Sequence, residues 1–101
     1  AFLQAYGQRN HLLLAQTLVP MEKWKRDQLI PALQQWLMAL EEALACRSGQ
    51  AAISPMAVQV AGQRSGQELL TATQNLQKAI NYAQGNVSVA AICGWLQWAM
   101  R

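Results

Sequence analysis

The side chains that could perform chemistry are few in this sequence, and they are scattered. Its five carboxylates include one adjacent pair, Glu41 and Glu42, and adjacent residues of a helix point to different sides. His11 is the single histidine and lies far in sequence from Cys46 and Cys93, so no metal-ligand spacing is present. The sequence contains no glycine-rich phosphate loop and no nucleophile elbow. We therefore predict no catalytic residue, no metal site and no cofactor in this segment, and we expect the two cysteines to be buried thiols.

The low charge content is the most informative property of the composition. Charged residues make up 13% of the 101 residues, against about 25% in average soluble proteins. Glutamine fills most of the remaining polar positions. A neutral amide surface costs less to desolvate than a charged one, which favours a surface that other proteins cover. A soluble monomer from an organism that favours glutamine is the alternative.

A short basic cluster is the only feature that could indicate a nucleic-acid contact. The net charge is +3, and Lys23, Lys25 and Arg26 are the only basic residues that cluster; Glu22 and Asp27 flank them. Nucleic-acid binders usually have a dense basic face, so a solvated helix face is the favoured interpretation, with a weak nucleic-acid contact as a candidate. The polar side of residues 21–47 is mainly Gln and Glu, whereas membrane-surface helices are rich in Lys and Arg. We therefore predict no membrane partner.

The hydrophobic periodicity predicts an all-α, single-domain bundle of about five helices over residues 1–101. Residues 1–19 are expected to be helical with a weak point at Gly7, and Asn10 is expected to cap the second piece. Residues 21–47 are predicted as one long helix kinked at Pro31. The alternative is a fresh helix that starts near Asp27 as its cap, with Pro31 in its opening turns. The chain begins without Met in the middle of a pattern, so we expect a fragment of a longer protein.

Cap and stop residues divide the second half of the sequence into three predicted helices. Ser54-Pro55 predicts the start of a short helix that Gly62 ends, after a loop over residues 48–53. Ser65 and Glu68 form a capping box for a helix to about Gln84, and Gly85 is its stop. Asn86 is then expected to cap the last helix.

The last helix, residues 86–100, is predicted to be the central element. Ile92, Trp95, Leu96 and Ala99 form one apolar stripe, and a second side is also apolar: Val87, Ala91, Gly94 and Trp98. A helix that is apolar nearly all round is expected to be buried on several sides. Gly94 either lets another helix come close or is a tolerated defect that costs about 1 kcal/mol relative to Ala.

The four tryptophans are divided between core and surface in this interpretation. Trp36 and Trp95 are predicted to be core residues. Trp24 and Trp98 are the candidate subunit-interface residues, since tryptophan is enriched in interface hot spots.

The order of these elements resembles the C-terminal collar domain of bacterial DNA polymerase III clamp-loader subunits, closest to the delta prime subunit. The similarity covers about residues 29–100. It consists of a long leucine-rich helix, a short helix at Pro55–Ala61, a capped helix at Glu68–Tyr82 and an Asn86-Val87-Ser88 turn before a final apolar helix. Gly94, Trp95 and Trp98 depart from the pattern, because the family usually has leucines there. The gamma/tau collar is the nearest alternative.

The resemblance implies a function in assembly. Collar domains of five related subunits associate into a ring that holds ATPase modules, and those modules load the sliding clamp on primed DNA. It follows that the partners would be gamma/tau and delta subunits in the cytoplasm, that contact with DNA would be only indirect, and that the nucleotide-binding modules would precede Ala1. A generic helical interaction module remains the alternative.

Overall fold

The computed structural model describes residues 2–49 and 54–101, and this part of the chain folds as an all-α domain without strands. The predicted fold class is confirmed. The described part contains six helices: α1 Phe2–Gly7, α2 His11–Met21, α3 Arg26–Arg47, α4 Pro55–Gln63, α5 Gly66–Gln84 and α6 Val89–Ala99. Most of the loop predicted at residues 48–53 lies outside the described residues.

Helix α3 is the element with the most extensive packing, because α5 and α4 both lie along it. Its buried side is a stripe at helical spacing: Leu29, Leu33, Leu40 and Ala43. Helices α3 and α5 run antiparallel, since Arg26 at the start of α3 bonds to the carbonyl of Ala83 at the end of α5. The centre of the bundle is therefore α3 and not the C-terminal helix.

The prediction of one kinked helix over residues 21–47 is wrong. Helix α2 continues through Pro20 to Met21, residues 22–25 form a turn, and α3 begins at Arg26. The Gln28 side chain accepts the Lys25 N–H at 3.0 Å, which satisfies one amide at the new N-terminus. Pro31 consequently lies in the second turn of a fresh helix, as the alternative proposed, although Asp27 lies inside the first turn and is not the cap.

The predicted burial of α6 is confirmed for one side only. Ile92, Cys93 and Leu96 are buried, and this side packs against α2 and α5. The expectation that the opposite side is covered as well is wrong, because Val87, Ala91, Gly94 and Trp98 are all exposed. Helix α6 lies at the edge of the bundle, so it has one buried stripe and an open outer side.

The predicted caps are mostly present. Asn10 accepts the Leu13 N–H at 3.0 Å, and Ser65 and Glu68 exchange the two bonds of the capping box at 3.1 and 3.0 Å. Ser54 lies at the N-cap position before Pro55, but its side chain makes no capping hydrogen bond. Helix α4 runs to Gln63, one residue beyond the predicted stop at Gly62.

The cap of the last helix was assigned to the wrong residue. Ser88, rather than Asn86, caps α6, since the Ser88 hydroxyl accepts the Ala91 N–H at 3.1 Å. The N-cap residue directly precedes the first helical residue, which is Val89 here, and Asn86 lies two residues before that position.

Candidate assembly surface

The outward face of α6 is an uncharged apolar surface that nothing in the described chain covers. Ala90, Ala91, Gly94 and Trp98 are exposed along it, and Trp98 keeps 69% of its surface accessible. The sequence has no charged residue between Lys78 and Arg101. We call these four residues the outer α6 face. An exposed tryptophan beside small residues is typical of a protein contact surface.

Gly94 has no side chain, so the helix backbone is accessible at this position of the outer α6 face. A Cβ built at Gly94 would meet no atom of another described element within 4 Å, so no helix of the described residues requires a glycine here. Glycine is unfavourable in a helix interior relative to alanine. Of the two interpretations of Gly94, close approach by one of the described helices is therefore wrong, and a tolerated defect or an approach by another chain remains.

A second uncharged surface lies where α3 and α5 run side by side. A groove of about 370 Å³ is present there, and Met38 at its edge is 69% exposed. Its lining contains amide and aliphatic side chains and no charged one: Gln34, Leu37, Met38, Gln77, Ile80 and Gln84. This groove agrees with the expectation, based on composition, that glutamine replaces charge on the surface.

The tryptophans differ in exposure, but Trp36 and Trp95, which were predicted to be core residues, are only partly buried and pack against the edge of the core. Trp36 is half-buried and stacks on Phe2 with ring centroids 3.9 Å apart. Trp95 is also half-buried and meets the Tyr82 ring edge-on at 5.7 Å. Trp24, in the turn between α2 and α3, is 40% exposed. The structure thus leaves Trp24 and Trp98 accessible, on separate elements, while their role as interface residues remains a prediction.

One residue of the predicted basic cluster, Arg26, is engaged in contacts within the fold. Arg26 Nη1 donates to the carbonyl oxygens of Ala83 at 2.8 Å, Gly85 at 3.0 Å and Val87 at 2.8 Å. Because these carbonyls belong to the corner between α5 and α6, Arg26 holds that corner against the start of α3. Lys23 and Lys25 are exposed in the turn that precedes α3. Two exposed lysines are far less than the dense basic face of a nucleic-acid site.

The strongest electrostatic arrangement in the described chain is centred on Arg64, which sequence reasoning missed. Arg64 is only 4% exposed and its guanidinium lies 4.2 Å from the Tyr6 ring centroid. It donates to the Tyr6 carbonyl at 2.9 Å, the Glu68 carboxylate at 2.7 Å and the Arg101 carbonyl at 3.1 Å. Glu68 also accepts from Arg9 at 2.8 Å. We call Tyr6, Arg9, Arg64, Glu68 and the Arg101 carbonyl the Arg64 cluster.

The sequence contained one usable signal for this cluster. Arg64 directly precedes the Ser65–Glu68 capping box, and residues four apart meet on a helix, so a pair between Arg64 and Glu68 could be expected. Nothing in the sequence indicated that α1 and the end of α6 would close over it.

The pKa values of the Arg64 cluster follow from its contacts. The pKa of Glu68 falls from 4.5 to about 2, first because the Ser65 backbone N–H donates to its carboxylate and then because Arg64 does. Burial raises the pKa of Tyr6 to about 12, against the opposing effect of Arg64. Both groups thus keep one protonation state at neutral pH, which suits a structural connection better than proton transfer.

The Cys93 thiol is a further titratable group with a shifted pKa. Burial is also the main cause that raises the pKa of Cys93 to about 11, so this thiol is protonated at neutral pH. Within residues 2–49 and 54–101, no three His, Cys, Asp or Glu side chains are placed to share a metal ion. A cavity of about 210 Å³ lies beside the Arg64 cluster, but the polar atoms of Arg64 and Glu68 that border it are engaged with each other and with the chain.

Comparisons with known proteins add no assignment. No protein-family model, no curated protein and no solved structure matches this chain. Among the described helices, none has both the length and the hydropathy to cross a bilayer.

Proposed function

We propose that this chain is a non-catalytic helical domain that assembles with other helical subunits. The observation that supports this most directly is the outer α6 face, where an accessible tryptophan and three small residues form an uncharged surface. The groove between α3 and α5 adds a second neutral surface. Contact cores are depleted of charge and enriched in aromatic residues. The outer α6 face has both properties, and the groove shares the absence of charge.

The specific form of the proposal is the collar of a DNA polymerase III clamp-loader subunit, closest to delta prime. Its support is the similarity in the order of helices described above, from the leucine-rich helix to the final apolar helix. In this form the partners are the gamma/tau and delta subunits, the location is the cytoplasm, and the role is to hold the ring that loads the clamp. The gamma/tau collar and a generic helical interaction module are the alternatives.

The test is a binding assay with the purified gamma/tau collar as the probe. We expect Trp98→Ala to weaken association at least tenfold and Trp24→Ala to weaken it less, because Trp98 is the more exposed of the two and lies on the uncharged face. Leu12→Ala is the matched control, since Leu12 is also 69% exposed but lies at the start of α2. Unchanged binding by Trp98→Ala would remove the outer α6 face from this interface, and no binding by the unaltered chain would refute the clamp-loader form.

A nucleic-acid contact through Lys23 and Lys25 is distinguished by its salt dependence. Binding through phosphate contacts would weaken steeply with salt. We expect the fluorescence anisotropy of labelled primed DNA to stay flat at low salt. Binding that Lys23→Ala with Lys25→Ala abolishes would contradict the assembly-only function.

A further inference from the structure

We propose that the cavity beside the Arg64 cluster binds a small carboxylate that carries an apolar group. The cavity has a volume of about 210 Å³ and lies where the start of α5 meets the end of α6. None of the four residues of the outer α6 face lines it, so this inference goes beyond the proposed assembly function and does not depend on it.

The first argument is a set of polar side chains that line the cavity and are free to bind a ligand. Gln67 and Thr71 are four residues apart on α5, so they lie on the same side of that helix, and both are exposed. Neither side chain makes a hydrogen bond within the described part of the chain. Arg101 also lines the cavity, and only its Nε is engaged, with the Gln97 carbonyl at 3.3 Å. An amide, a hydroxyl and a guanidinium can all donate to a carboxylate.

The second argument is a surplus of positive charge. Arg9 and Arg64 pair with Glu68 at 2.8 and 2.7 Å, and Arg101 lines the same cavity as Arg64 and Glu68. These three guanidinium groups share a single carboxylate, which leaves a surplus of two positive charges. Arg64 is 4% exposed, so water screens its charge less than the charge of a surface arginine. The cavity therefore favours an anionic ligand over a neutral or cationic one.

The third argument is the apolar part of the lining, which distinguishes between anions. Ala72 and Met100 are buried and Ala99 is half-buried, and all three border the cavity. An apolar group of the ligand gains free energy by covering such surface, and inorganic phosphate has no such group. A carboxylate also matches the planar donor pair of a guanidinium such as that of Arg101. An apolar carboxylate thus fits both parts of the lining.

The volume of the cavity limits the size and the affinity of the ligand. Sites for drug-sized molecules have volumes of roughly 300–1,000 Å³, and this cavity of about 210 Å³ is smaller. We therefore expect a ligand about as large as benzoate, with a Kd on the order of 1 mM.

The experiment titrates the ¹⁵N-labelled full chain with benzoate to about 20 mM at constant ionic strength, a range set by the expected Kd. Benzoate should shift the amide signals of Gln67, Thr71 and Met100. Benzamide, which has the same shape and no charge, should bind at least about fivefold more weakly, and so should inorganic phosphate, which has no apolar group. Arg101→Gln should raise the benzoate Kd about fivefold, the effect of losing one partly exposed ion pair.

Lys78→Gln is the matched control for charge. Lys78 is an exposed residue of α5 that does not line the cavity, and its replacement lowers the net charge by the same amount as Arg101→Gln. The benzoate Kd of Lys78→Gln should equal that of the unaltered chain. Equal Kd values for Arg101→Gln and Lys78→Gln would overturn the inference, because benzoate would then respond to net charge alone.

Three other results would also overturn the inference. They are benzoate shifts that map away from the cavity, no shift at about 20 mM, and benzamide or phosphate binding as tightly as benzoate. Two sources share the proposed chemistry, a free small carboxylate and the C-terminal carboxylate of another protein. The peptide glycyl-glycyl-leucine distinguishes them: binding at least about fivefold tighter than that of benzoate would assign the site to a protein terminus, and weaker binding would assign it to a free small carboxylate.

Discussion

Replacing Glu68 by Gln tests whether the Arg64 cluster holds the domain together. Gln is as suitable as Glu in a capping box, so Glu68→Gln can retain the bond from the Ser65 N–H. The variant removes the negative charge from beside Arg64, which is 4% exposed, and from beside Arg9. Arg64 would keep the carbonyls of Tyr6 and Arg101 but would lose its only counter-ion within the described residues.

The magnitude follows from the pKa shift. A fall from 4.5 to about 2 corresponds to an upper bound of about 3 kcal/mol at 1.36 kcal/mol per pH unit. The largest cause of the shift is the bond from the Ser65 N–H, which Gln can retain, and the Glu68 side chain is 31% exposed, so water screens part of the remainder. We expect Glu68→Gln to lower the free energy of unfolding by about 1.5 kcal/mol at pH 7, the loss of one hydrogen bond between charged groups. Arg9→Gln breaks only the more exposed pair, in which the Arg9 side chain is 54% exposed, and should cost at most about 1 kcal/mol.

The sign of the pH dependence gives a second and independent readout. The folded-state pKa of Glu68 lies below its unfolded value, so its stabilisation is fully present above about pH 4.5 and is lost as the pH falls towards about 2. The difference between the unaltered chain and Glu68→Gln should therefore shrink over this range and vanish near pH 2. Urea unfolding followed by tryptophan fluorescence between pH 2 and pH 7 measures it. A difference that does not change with pH, or one no larger than that of Arg9→Gln, would refute the role assigned to the cluster.

Three further predictions concern the packing of the elements. Arg26→Ala should lower the free energy of unfolding by about 1.5–3 kcal/mol, because three carbonyls of the α5–α6 corner lose a charged donor. In the same urea assay the control Lys23→Ala should change the free energy of unfolding by no more than about 0.5 kcal/mol. Equal effects of the two variants would contradict the role of Arg26. Phe2→Ala should cost about 3–5 kcal/mol in thermal unfolding, since Phe2 is buried and stacks on an indole; a cost below about 1 kcal/mol would show that α1 frays. A thiol reagent at pH 8 should label Cys46 in the folded chain and Cys93 only in denaturant, since Cys93 is buried and its pKa is about 11; equal labelling rates would contradict its burial.

The sequence predicted the fold class and most helix ends, because each of these depends on local signals. The Ser65–Glu68 box and the Asn10 cap require only a side chain three residues from the amide it satisfies. The stripe of Ile92, Leu96 and their neighbours required only helical periodicity. These signals are contained within a few turns of one helix, so they could be recognised without knowledge of the tertiary structure.

What the sequence could not show depends on contacts between distant segments. In the Arg64 cluster, Arg64 connects Tyr6 and Arg101, which lie near opposite ends of the chain. Arg26 likewise reaches the corner after α5. The break before α3 was misjudged for a related reason: a proline signals an interrupted helix but does not by itself show on which side of it the interruption lies. The N-terminus of α3 is set by the bond between the Lys25 N–H and the Gln28 side chain. This pair lacks the Ser, Thr, Asn or Asp that usually marks an N-cap in a sequence.

The error about α6 is the one that bears on function. Periodicity showed that two sides of this helix are apolar, and the natural inference was that the domain covers both. The domain covers only one, because α3 and not α6 takes the central place. An apolar side that the core does not use contributes nothing to the stability of the monomer, and it exposes Trp98 to water. The exposure of the outer α6 face is therefore explained if another helix covers it in the assembly. For this reason Trp98 and Gly94, rather than any titratable group, are the residues on which the function should be tested first.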